Sequence, residues 1–157
     1  MKKTNAARLL DRIGFSYLLV EYPFDEENVG AASVAEKIGM PLDRVYKTLV
    51  VRGDKTGVFL AVIPGDSELD LKPVAALTGN KKCDLVHLKE VFPLTGYQRG
   101  GVSPLGSRKP FPVVMDESAF EFHEISVSAG LRGLQMILHP SHLAEACRAT
   151  TGHITRD

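Results

Sequence analysis

Between residues 45 and 64 the chain reads VYKTLVVR, then GDKTG, then VFLAVIP, and an antiparallel pair of strands is the arrangement that suits it. Both arms are runs of β-branched and aliphatic residues, and the five residues between them hold two glycines and an aspartate, the chemistry of a turn. Strands at 45–52 and 58–64 therefore close a hairpin over 53–57. The helical segments around it are short, and each stops at a glycine. The first covers 5–13, capped by Thr4 or Asn5, apolar at Leu9, Leu10 and Ile13, and ended by Gly14. A second covers 32–39, with Pro41 opening a further brief turn, and a third runs from the Asp70 cap to Thr78 before Gly79. Further strands are expected at 15–22, 111–116, 124–128 and 134–139. A short strand in 83–88 leads into a helical turn at 89–92, and Pro140 and Ser141 open the last helix. Helices and strands mix without regular βαβ alternation, so the expected class is α+β with a largely antiparallel or mixed sheet.

At 157 residues the chain is expected to form one domain, 1–157, with a sizeable core. Nineteen basic residues balance nineteen acidic ones. That balance argues against a protein that grips a long nucleic acid mainly through charge, and leaves room for a local basic patch. No apolar run approaches the roughly 18 residues that cross a bilayer. The opening MKKTNAARLLDRIG is amphipathic, not a signal sequence, so the expected location is cytoplasmic with no membrane partner. Cys83 and Cys147 are far apart and read as reduced residues without a catalytic role. The five histidines are scattered, and His139 and His142 straddle Pro140, a poor frame for ligands, so no metal and no cofactor are expected. The acid pairs Glu26–Glu27 and Asp116–Glu117 read as solvated turns.

Three segments can carry chemistry. TGYQRGGVSPLG, 95–106, holds four of the 14 glycines and has neither helical nor strand period. A Gly-Gly step bared of side chains can offer backbone N–H groups to a phosphate or a developing oxyanion; a long surface turn is the alternative. No Walker or dinucleotide fingerprint surrounds it. Lys47 falls on the more apolar face of its strand with Val45, Leu49 and Val51. There it either snorkels to water, which the pattern alone favours, or projects into a cleft as a useful cation. VSAGLRG, 127–133, places Ser128 at a strand end beside Gly130 and Arg132, without the elbow of a conventional serine nucleophile.

Together VYKTLVV, TGYQRGGVSPLG and ISVSAGLRGL resemble the YbaK/EbsC family, relatives of the editing domain inserted in bacterial prolyl-tRNA synthetases. The likeness covers nearly the whole chain. It implies a compact α+β domain whose mixed sheet is strongly curved, barrel-like and flanked by helices. It also implies a deacylase that cleaves mischarged tRNA in trans, with Cys-tRNA(Pro) the first substrate and the cysteine thiol attacking its own ester. Deacylation of another small amino acid, such as Ala-tRNA(Pro), and a non-catalytic aminoacyl or nucleotide-binding module remain as alternatives. The implied partners are the acceptor end of mischarged tRNA and prolyl-tRNA synthetase. By this resemblance Lys47, Gly100 and Ser128 are catalytic, while Tyr22, Gly101, Ser103, Gly130 and Arg132 bind substrate. Arg99, Arg108, Lys109 and Arg132 form either a basic rim for tRNA or ordinary solvated loop charge. The family's VSGGKRGL is VSAGLRGL here, and Gln135 stands where some members carry an aspartate.

Overall fold

The computed structural model describes residues 3–107 and 109–156. Helix α1 is Asn5–Ile13: the Thr4 hydroxyl accepts the Ala7 N–H at 3.3 Å, and Gly14 closes the last turn by donating to the Leu10 carbonyl at 2.9 Å. Its buried face is Ala6, Ala7 and Leu10, while Ile13 is left exposed. The remaining elements follow as β1 (Leu18–Glu21), α2 (Ala31–Ile38), β2 (Tyr46–Gly53), β3 (Gly57–Pro64), α3 (Leu71–Thr78), β4 (Cys83–Leu85) and α4 (Leu88–Thr95). After the glycine-rich stretch come β5 (Val113–Asp116), β6 (Ile125–Leu131), β7 (Leu134–Leu138), α5 (Pro140–Cys147) and β8 (Thr150–Gly152).

The strands make two sheets. Three antiparallel strands are ordered β1-β7-β6, and five are ordered β4-β2-β3-β5-β8. In the larger sheet the β2–β3 hairpin and the β2–β4 pair are antiparallel, whereas β3–β5 and β5–β8 are parallel, so the sheet is mixed. One parallel bridge, Val45 to Ser126, links the two sheets where β2 enters and β6 passes. Neither strand order returns on itself, so the barrel-like, strongly curved sheet implied by the resemblance is not what forms; the fold is α+β with two open sheets.

Strand β3 explains how the sheet serves two cores. Leu60 and Val62 point into the main cluster with Leu10, Met115, Val127 and Met136. Phe59, Ala61 and Ile63 point the other way, beneath α3, with Val74 and Ile154. The period of two in an uninterrupted apolar run thus covers both faces. A third, smaller cluster joins Tyr22, Val34, Ala35 and Val45.

Three local differences from expectation have physical reasons. The helix expected to end at residue 92 continues through Pro93 to Thr95, because the Thr95 hydroxyl donates to the Val91 carbonyl at 2.7 Å and Gly96 N–H to the Phe92 carbonyl at 2.8 Å. Strand β8 has too few apolar residues to announce itself; its pairing with β5 makes it a strand. Asp116 is not a solvated turn acid. It is 2% exposed, and its carboxylate accepts the Ile154 N–H at 2.9 Å and the Ser118 N–H at 3.2 Å.

The hairpin turn is held from outside by buried Asn80. Its Oδ1 accepts the Lys55 and Thr56 N–H groups at 2.9 and 3.0 Å, and its Nδ2 donates to the hydroxyls of Thr56 and Thr78 at 2.9 and 2.8 Å. Gly53 leaves the room, since a Cβ there would overlap the Asn80 amide. Asn80→Ala is expected to lower stability by about 2 kcal/mol in urea unfolding, because water can reach the turn donors only in part. A loss well under 1 kcal/mol would show that the turn holds without Asn80.

Candidate active site

A cleft of about 330 Å³ lies where the hairpin, the glycine-rich stretch and β6 meet. Val45 and strand β2 from Tyr46 to Val50 supply its floor, including half-buried Lys47. The start of α2 and Val29 form one wall, and β4 with α4 form another through Val86, Leu88 and Val91. Arg99, Gly100 and Val102 close a third side, with Ser128 and Gln135 beside them. Three residues separated by 53 and 28 positions in the sequence, Lys47, Gly100 and Ser128, therefore line one cavity.

Lys47 donates from Nζ to the Gly65 carbonyl at 3.3 Å, a long hydrogen bond that leaves most of the donor capacity of the group unused. Gly100 has φ +87°, and a Cβ there would approach Val29 Cγ1 to 2.7 Å, so only glycine fits this point of the wall. Among the described residues its N–H has no partner, whereas the Gly101 N–H is already committed to the Gln98 carbonyl at 2.8 Å. Ser128 Oγ accepts the Gly130 N–H at 3.1 Å, which is turn chemistry at the bulge between Ser128 and Leu131. Its hydroxyl hydrogen stays available to the cleft. Gln135 is buried, and its Oε1 accepts the Ser126 hydroxyl at 2.6 Å.

The other expected substrate residues stand apart from the lining. Tyr22 is buried in the small cluster that shares Val34 and Val45 with the cleft, and its hydroxyl has no hydrogen-bond partner. Gly101 backs onto Leu131 and Arg132, and buried Ser103 accepts the Leu105 N–H at 3.2 Å. Gly130 faces the Tyr97 ring. Arg132 is tied into the structure: its Nε donates to the Arg99 carbonyl at 2.8 Å, its guanidinium lies 4.8 Å from the Phe24 ring centroid, and it meets exposed Glu26 at 3.7 Å. Of the expected basic rim, Arg99 is at the cleft, Lys109 sits over Phe111 elsewhere, and Arg108 lies outside the described residues.

Sequence reasoning missed Thr48. It lines the cleft, and its buried Oγ1 has no partner, the kind of orphaned hydroxyl that a ligand or water satisfies. A lone hydroxyl in an apolar strand was the available signal. The cysteines offer no nucleophile here: burial pushes the Cys147 thiol up to about 12 and raises that of Cys83, and neither borders the cleft.

A family model described as the aminoacyl-tRNA editing domain matches residues 25–146. The chain belongs to the aminoacyl-tRNA editing domain family. The matched segment contains Lys47, Gly100 and Ser128; Tyr22 precedes it, as does α1. Among relatives of this editing domain, a protein of Enterococcus faecalis named "Putative Cys-tRNA(Pro)/Cys-tRNA(Cys) deacylase EbsC" is 44% identical over 154 residues, 98% of this chain and 94% of that protein. A proline–tRNA ligase of Burkholderia multivorans is 29% identical over 101 residues, 62% of this chain but 18% of the ligase. A solved structure described as "a putative trans-editing enzyme for prolyl tRNA synthetase" superposes with a TM-score of 0.85 at 27% identity, covering the whole of both chains.

Proposed function

We propose that this editing domain is an aminoacyl-tRNA deacylase acting in trans, with Cys-tRNA(Pro) as its first substrate. The observation that carries the reading is that Lys47 and Gly100, whose N–H has no partner among the described residues, line one small and largely apolar cleft. Both are suited to a carbonyl oxygen that gains negative charge. An aminoacyl ester is already activated, so the protein's task is to fix the carbonyl and stabilise that charge. The volume of about 330 Å³ is at the small end of ligand sites, fitting one aminoacyl group and the ribose that bears it.

No side chain in the cleft forms a nucleophile and base pair, and Ser128 Oγ is engaged with Gly130. This favours a nucleophile brought by the substrate. The cysteine sulfur attacks its own carbonyl carbon, forming a C–S bond and a tetrahedral oxyanion facing Lys47 and Gly100. Collapse breaks the C–O bond to the ribose, the ribose oxygen takes up the thiol proton, and a cyclic thiolactone leaves. Ser128 and Thr48 orient the amino and carbonyl groups, and Arg99 meets the terminal phosphate at the mouth. Prolyl-tRNA synthetase is the partner that would deliver the substrate.

The apolar walls also admit alanine, which would need a water nucleophile instead. Incubation with a panel of mischarged tRNAs separates these readings. Turnover of Cys-tRNA(Pro) with a trappable thiolactone is the expected result. Alanine-only turnover would replace the substrate and the thiol step, and turnover of none would make the domain an aminoacyl or nucleotide binder.

A further inference from the structure

A second concavity, about 1150 Å³ and open, shares no lining residue with the cleft. It runs between α1, the segment from Pro104 to Ser107, and the end of α5, over an apolar bed that includes Leu9 and Phe111. Three exposed arginines border it: Arg8, Arg12 and Arg148. Arg8 and Arg12 are four apart on α1 and so lie on one helix face. Among the described residues, no acid pairs with any of the three guanidiniums. The acid on this rim, Asp11, is taken by Lys3 Nζ at 2.6 Å and the Tyr17 hydroxyl at 2.8 Å, and the Lys3 hydrogen bond holds its carboxyl below the usual range. Lys109, 5.9 Å from the Phe111 ring centroid, adds a further cation beside the groove.

The cation cluster is a local feature and does not reflect the charge of the chain. The chain as a whole carries no net charge, so three unpaired arginines around one groove are a local concentration. Arg148 is fixed at the groove by its place in the fold: it is the left-handed C-cap of α5, with φ +53°, and its N–H closes the helix onto the Ala144 and Glu145 carbonyls. All three arginines lie outside the segment that matches the family, 25–146.

We propose that Arg8, Arg12 and Arg148 hold the phosphate backbone of the acceptor stem whose 3′ end enters the cleft. This deepens, and rests on, the deacylase reading. At about 1150 Å³ the groove is larger than a single phosphate needs, and arginines from both α1 and the end of α5 border it, which suits an extended polyanion. It is also joined to the cleft by the glycine-rich stretch. Gly100 borders the cleft and Gly106 the groove, and six residues of chain span at most about 20 Å. A duplex leading away from the ester can therefore reach the arginines.

The test is binding of a fluorescent RNA hairpin with an acceptor-stem duplex and no aminoacyl group, titrated from 50 to 200 mM salt. For the wild-type chain log K is expected to fall steeply with log salt. In Arg8→Gln/Arg12→Gln/Arg148→Gln the slope should drop by about 2–3, with about tenfold or greater weakening at 50 mM salt. Should the triple variant melt early, Arg8→Gln and Arg12→Gln singly, both at exposed helix positions, should each lower the slope by about 0.7–0.9. Unchanged slope and affinity would overturn the proposal. So would inorganic tripolyphosphate binding the same arginines as tightly as the hairpin, which would make the groove a small-anion site. Wild-type hydrolysis of a cysteinyl or alanyl ester on a short 3′-terminal oligonucleotide, too short to reach the groove, reports on the cleft alone. Its failure would remove the deacylase reading, whereas a groove-independent hairpin affinity with that hydrolysis intact would remove only the groove.

Discussion

Lys47→Ala is expected to slow single-turnover deacylation of Cys-tRNA(Pro) by about 10²–10³-fold, the usual effect of removing one donor to a developing oxyanion. The fold should hardly notice. Lys47 is half-buried, and its one hydrogen bond is the 3.3 Å contact with the Gly65 carbonyl, at a strand whose ladder to β3 involves backbone atoms alone. Thermal melts of the variant should therefore overlay those of the wild type to within a few degrees. Lys47→Arg offers a useful intermediate, since it keeps the charge but spreads it over a planar fork that does not match a single point donor. Rates for Lys47→Ala near those of the wild type, in a protein that melts normally, would move the charge-stabilising role off this residue and leave the Gly100 N–H to carry it.

The second large effect belongs to stability. A Cβ at position 106 would stand 2.6 Å from the Ala6 nitrogen and 2.7 Å from the Asn5 carbonyl carbon, and φ there is +71°. These neighbours are backbone atoms in the first turn of α1, and a backbone cannot rotate aside as the end of a side chain can. Gly106→Ala is expected to cost about 2–5 kcal/mol, combining left-handed strain with forced separation of packed elements. The loss should appear as a lowered denaturant midpoint with an unchanged m-value. A cost below about 1 kcal/mol would mean that α1 and the glycine-rich stretch slide past one another freely. The stretch is otherwise latched: the Tyr97 hydroxyl donates to the Leu105 carbonyl at 2.6 Å, and burial pushes that phenol up to about 12.

Local signals gave a reliable account of the elements and a partial one of the site. Helix α1 begins and ends where its Thr4 cap and Gly14 stop place it, and the hairpin forms in the register that its short turn dictates. Both outcomes are decided by residues near one another in sequence. Sheet closure was not legible, because it depends on which edges meet; β8, three residues long, owes its place to Val114 and Met115 of β5. The same limit applies to chemistry. Lys47 was conspicuous as a cation among aliphatics, and Gly100 as part of a Gly-Gly step. Nothing local distinguished Gly100 from Gly101, although the Gln98 carbonyl takes the N–H of Gly101 and that of Gly100 has no partner among the described residues. Thr48 was marked only weakly: a lone hydroxyl in an apolar strand is an ordinary sight, and its missing hydrogen-bond partner is what singles it out.

The cleft also has a consequence for the order in which the molecule comes into being. Its lining draws on β2, on the stretch after α4 and on β6 and β7, and the lone Val45–Ser126 bridge ties the two sheets together at that place. Contacts between partners this distant in sequence close late, because the loop between them must be ordered first. During synthesis, Lys47 emerges well before Ser128 and Gln135 exist. A chain that has not yet reached β6 and β7 can thus fold its hairpin early, yet it has no cleft until Ser128 and Gln135 have been made.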